Sequence, residues 1–165
     1  MFVGPRYTVF LRRSADVTAE QLRAGVAEGL RIVSARTNDD AFADVAARID
    51  VEANGPAFVV RDGDDRIYVL RCPSDALAHA VAETIAELPP ALSMHGPLRD
   101  HLGATVDMFV ASFGVSSARS AALIAANVVR WLARDYDGMI YGAMGNWYSL
   151  GDRHQFVEIA NEPAS

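Results

Sequence analysis

The apolar residues of this chain switch repeatedly between two spacings, and that switching limits the folds open to it. A spacing of two marks a half-buried strand; spacings of three and four mark one face of a helix. Arg6–Arg13 alternates, with Tyr7, Val9 and Leu11 on one side and Phe10 on the other, which predicts a strand with its second face partly covered. Leu22, Val26, Leu30 and Val33 form a helical stripe over Gln21–Val33. Thr18-Ala19-Glu20-Gln21 opens it with capping-box spacing, the Thr18 hydroxyl accepting from the N3 amide. Ala57–Cys72 reads as a hairpin turning at Asp62-Gly63, where glycine permits positive φ. A second helix, Asp75–Leu88, carries Leu77, Val81, Ile85 and Leu88, with Ser74 as its cap and Pro89-Pro90 as its stop. The strand Ala104–Phe113 follows after a loop over residues 91 to 102.

The order β-α-β-β-α-β belongs to split-βαβ units. The expected fold is therefore α+β: a two-layer sandwich with a ferredoxin-like core, its antiparallel-dominated sheet covered on one face by helices. Between residues 34 and 56, Thr37, Asp39 and Asp40 precede Phe42, Val45 and Ile49, which predicts a short helix. A short strand around Ile49–Ala53 then ends at Asn54-Gly55-Pro56. The last third extends the core by a helix, Ala118–Arg134, capped at Ser116 or Ser117 and stopped at Asp137-Gly138, with glycine at the left-handed position. A hairpin of Met139–Ala143 and Trp147–Leu150 turns at Gly145-Asn146. Residues 1–150 are expected to form one domain, with a weak β-α-β-β echo between 6–72 and 104–150. Residues 151–165 form a mostly polar tail, frayed at its end, in which Phe156, Val157 and Ile159 allow one more short strand.

Charge and cysteine content narrow the partners. The net charge of −6 disfavours phosphate-backbone binding, so nucleic acid is not an expected partner. All fifteen basic residues are arginines, scattered in a way that fits coding bias better than a recognition face. The longest nearly uncharged run, His101 to Ala118, is broken by Asp107, Gly103 and Gly114, so no membrane span is expected. Met1–Arg6 lacks the basic-then-apolar order of a secretory leader, and the single Cys72 suits a reducing compartment. A cytoplasmic location is the expectation.

Each residue with chemical potential has a plainer alternative. Cys72 stands just before a helix start, where the dipole can lower a thiol pKa, but residue 78 is alanine where a phosphatase loop needs arginine, and no second cysteine pairs with it. The plainer reading makes it a small apolar residue closing the sheet. His95, Asp100 and His101 share a loop without metal-ligand spacing, His79 should face solvent, and Asp62-Gly63-Asp64-Asp65 is too short for a calcium loop. No catalytic residue, metal or cofactor is assigned. Asp107, inside the apolar run Val106–Val110, must face water, an ion-pair partner or a cavity. Asp39, Asp40 and Asp44, with Asp50 and Glu52 beyond, make an acidic face. Tyr141, Trp147 and Tyr148, with Tyr136 before them, make the last hairpin aromatic; it either anchors an interface or packs as core.

These features favour a non-enzymatic protein-binding module, such as an immunity-type inhibitor, acidic chaperone or adaptor. Its candidate binding residues are Asp39, Asp40, Asp44, Asp107, Tyr141, Trp147 and Tyr148. The expected partner is a protein, basic in character, or a second copy paired through a sheet edge. A small-molecule or sensory domain with a pocket near Tyr68, Asp107 and Tyr141 stands second. An enzyme using Cys72 or the His95/His101 loop stands third.

Overall fold

The computed structural model describes residues 5–114 and 119–159. Its strands are β1 (Arg6–Leu11), β2 (Asp50–Asn54), β3 (Ala57–Asp62), β4 (Asp65–Arg71), β5 (Asp107–Ser112), β6 (Gly138–Tyr141), β7 (Trp147–Leu150) and β8 (Phe156–Glu158). Its helices are α1 (Ala19–Thr37), α2 (Asp40–Arg48), α3 (Ser74–Ala86), α4 (Pro90–Ser93), α5 (Gly96–Gly103) and α6 (Arg119–Tyr136). All eight strands join one antiparallel sheet in the order β2-β3-β4-β5-β1-β6-β7-β8.

The α+β class and the antiparallel sheet agree with the sequence; the ferredoxin-like core does not. In that core the first of the four strands lies between the third and the fourth. Here β5, the fourth, lies between β4 and β1. The two-layer, one-face expectation also fails. On the front face, Val9, Leu11, Val60, Val69, Phe109 and Ile140 pack against α1 and α6 in the larger core. On the back face, Phe10, Met108, Met139 and Trp147 pack under Val81, Leu88, Leu92, Leu98 and Leu102, from α3 to α5. The centre of the molecule therefore has three layers. The physical reason lies in β1, where Val9 and Leu11 face one way and the equally buried Phe10 faces the other. Both sides need a cover.

The second cover comes from residues read as a loop. Pro90 opens α4, and the His95 imidazole accepts from the Leu98 amide to cap α5, so the proline pair that ends α3 also starts the next helix. α3 itself begins behind Pro73 with no side-chain cap, so Ser74 is its first residue rather than its cap. The Thr18 capping box is present, with both reciprocal hydrogen bonds. Asp39 caps α2 by accepting from the Ala41 amide. At the end of α6 the left-handed residue is Asp137 (φ 56°), not Gly138. Gly138 answers a different need: a Cβ there would sit 2.8 Å from the Ala133 Cα and 2.8 Å from Leu11. The Ser116 and Ser117 cap positions, the N-terminal residues 1–4 and the end of the tail lie outside the described residues.

The sheet's two edges are both blunted. β2 carries Asp50 and Glu52, and β8 is three residues long, formed by the short strand allowed for in the tail. No helix among the described residues is long and apolar enough to cross a membrane.

α1 meets α6 through Gly25 and Gly29, four residues apart on one helical face. A Cβ on Gly25 would stand 2.5 Å from the Trp131 ring, which is itself walled into the core. Gly25→Ala gains about 1 kcal/mol of helix propensity and loses about 1–3 kcal/mol to overpacking. The net expectation is destabilisation, read as a lower urea midpoint with an unchanged slope. An unchanged or higher midpoint would show that the indole moves aside freely.

Candidate functional site

Asp107 is the most constrained acid in the molecule. Its side chain is 4% exposed and accepts four hydrogen bonds. Oδ2 takes the Arg71 Nη2–H at 2.7 Å and the Ala15 amide at 2.9 Å, while Oδ1 takes Arg71 Nε–H at 3.1 Å and the Met108 amide at 3.0 Å. Arg71 also reaches Asp16 at 2.9 Å and stands over the Phe109 ring. Every lone pair that points inward is thus used, and the carboxylate ties the β1–α1 connection to β4 and β5. Of the three environments open to Asp107, the structure shows the ion pair.

Cys72 lies beside this clamp, and its surroundings oppose thiolate formation. Burial pushes its pKa up, and the carboxylates of Asp107 and Asp75 push it the same way. The cleft it lines contains no histidine. His95 is spent on its helix cap, and His79 is exposed and pairs with Glu83 across one helical turn. His101 is buried, with Nε2 2.7 Å from the Phe10 carbonyl oxygen, so the neutral ring donates there. Burial is the main reason its pKa is lowered; Arg12 acts in the same sense, and the Phe10 bond and Asp137 oppose it. Among the described residues no three His, Cys, Asp or Glu side chains gather as a metal site.

The candidate binding residues do not converge. Asp39, Asp40 and Asp44 are exposed on α2, which packs on α1 over the front face. Farther along, Arg48 neutralises the buried Asp62, and Arg61 pairs with Glu52. Tyr141 and Trp147 do meet, with ring centroids 4.9 Å apart, but on the back face. Trp147 is 3% exposed, stacked on Phe10 as core, whereas Tyr141 is 38% exposed. Tyr148, one residue on, points to the front and packs on Phe156. Strand alternation alone separates it from Trp147.

What the back face does offer is a groove. It is about 360 Å³ in volume and runs between α3 and the sheet. Met108, Val110, Thr8 and Tyr141 form its floor, with Phe10 and Trp147 beneath; Glu83 and Glu87 stand on its α3 wall, and Arg6 lies at its open side. Beyond the groove, on the back face of β4, Leu70 is 49% exposed. Of these groove residues, Tyr141 and Trp147 were singled out from sequence as binding candidates. The available signals were Leu70, apolar in β4 beside the inward-facing Val69, and the spacing of Ala80, Glu83, Thr84 and Glu87 on the outer side of α3.

Removing Arg71 leaves the Asp107 charge buried with amides alone. Arg71→Met is expected to lose about 3 kcal/mol of stability. Arg12→Met, which breaks the half-exposed pair with Asp137 (side chains 44% and 42% exposed), is expected to lose no more than about 1 kcal/mol. Equal losses in chemical denaturation would contradict this account of Asp107. His101 supplies a pH signature. The unfolded ring takes up a proton near its ordinary 6.5, while the buried ring refuses it until lower pH. The unfolded state therefore binds more protons in that window, and stability falls as pH drops below 6.5. Melting temperatures from pH 8 to pH 5 should show this decline in the wild type and a shallower one in His101→Gln; parallel curves would remove His101 as the cause.

Comparison with protein families, with curated proteins and with solved structures finds no match to this chain, so the functional reading rests on the geometry of the site itself.

Proposed function

We propose that this chain is a non-enzymatic protein-binding module that holds a partner segment against the back face of its sheet. The observation that carries the reading is the groove on the back face: α3 to α5 cover one part of that face, and beside them lie the groove and the half-exposed Leu70. Leu70 and the half-buried Val110 lead along the sheet into the groove floored by Tyr141. An apolar strip framed by charges is the composition of a recognition surface, where the buried centre sets the lifetime of the complex. The overall charge of −6 would favour encounter with basic partners, and the exposed Asp39, Asp40 and Asp44 on α2 add to that field without lying in the contact.

The test uses Leu70→Asp, a substitution at a half-exposed site. Proteins captured from extracts of the native host by wild type and variant are compared, with circular dichroism as the folding control. At least one saturable partner of the wild type should bind the variant about tenfold or more weakly, a loss of roughly 1.4 kcal/mol. Identical capture by the two proteins would sink the reading. A second reading, a small-molecule site in the same groove, is favoured by the groove's volume, which falls within the usual range for ligand pockets of about 300–1,000 Å³. A stoichiometric low-mass adduct in the native mass spectrum would favour it.

A further inference from the structure

Resting on that reading, we infer that the partner segment is an amphipathic α-helix laid alongside α3, with basic side chains on the flank that faces Glu83 and Glu87. The first argument is the shape of the floor. Pairing register places Leu70, Val110, Thr8 and Tyr141 side by side on four adjacent strands, and Trp147 continues the row on β7. α3 leaves β4 near Arg71 and ends against Trp147, so it runs along this row on one side. From β4 to β7 the row covers four strand spacings, about 19 Å, the length of about 13 helical residues.

The second argument concerns the backbone. β5, β1 and β6 are interior strands, paired on both sides. An extended segment laid on their face would find no partners for its own N–H and C=O groups and would bury them unsatisfied. A helix satisfies those groups internally and brings only side chains to the floor. The outer side of α3 also suits a neighbouring helix, because Ala80 and Thr84 are small enough for axes to approach to about 8–10 Å.

The third argument is charge. Glu83 and Glu87 stand on the α3 wall of the groove, one helical turn apart. Glu83 is bridged only by the exposed His79, a weak surface pair, and Glu87 has no ion-pair partner among the described residues. On the opposite side Arg6 is likewise without an ion pair among the described residues. A helix with lysine or arginine on one flank and acid on the other meets both, and the same helix turned end for end meets neither.

Three synthetic 13-residue probes test this against the full chain by fluorescence anisotropy. The first has a leucine stripe with lysine on one flank and glutamate on the other, in the matching order. The second carries glutamate on both flanks, and the third breaks the helix with two prolines. The matching probe should bind about tenfold tighter than the all-glutamate one, and the Glu83→Lys/Glu87→Lys variant should reverse that preference. The proline probe should bind the wild type at least about tenfold more weakly than the matching one. Equal binding of the first two probes, an unchanged preference in the variant, or tightest binding of the proline probe would each overturn the inference. The two failures are separable. If Leu70→Asp weakens capture of a host partner while the flank charge of the probes has no effect, the partner is not this helix and the binding module stands.

Discussion

Strand β1 has to be buried on two sides at once, and the rest of the molecule is arranged around that requirement. Val9 and Leu11 are fully enclosed on the front and Phe10 is enclosed on the back. A strand with only one apolar side can sit in a two-layer sandwich with its other side in water. β1 cannot. It occupies an interior position between β5 and β6, with α1 and α6 over one face and α3, α4 and α5 over the other. Farther out the back face is more open, with Leu70 of β4 49% exposed.

Three polar side chains enter this interior with hydrogen-bond partners in place. Asp107 sits opposite Leu11 at the end of the β1–β5 ladder and draws four donors, two of them from Arg71. His101 enters the back core as a neutral ring and gives its proton to the Phe10 carbonyl oxygen. In the larger core, Asn127 donates to the Leu123 carbonyl and accepts from Arg130. Asp107 and His101 join elements distant in sequence, so they serve register and position more than reactivity.

Much of the element order was legible because it depends on local rules. Thr18 and Gln21 cap α1 through bonds three residues apart, and the Asp39-led helix α2 and the tail strand β8 follow from spacing alone. Sheet order was not legible, since nothing local to β5 says that it inserts between β4 and β1. The helices α4 and α5 were hidden because Pro89 and Pro90 read as an end, although proline is equally at home in a first helical turn. At the site, the aromatic hairpin was visible but its division was not. Alternation sends Tyr141 and Trp147 to one face and Tyr148 to the other, and only the register with β1 tells which face is open. The acids of α2 were visible too, yet a linear sequence does not show that they lie across the sheet from Tyr141.

The position of β1 also bears on how the chain is made. Its pairing partners, β5 and β6, begin roughly a hundred residues later, so loop closure of that length precedes its burial. At ribosomal speeds of about 5–20 residues per second, this doubly apolar strand waits several seconds or more for its neighbours to be synthesised. Meanwhile the β2-β3-β4 meander closes through two-residue turns at Gly55-Pro56 and Gly63-Asp64. The nascent protein thus passes through a stage in which its future centre is its stickiest exposed segment, and its yield in a cell will depend on what shields that segment during translation.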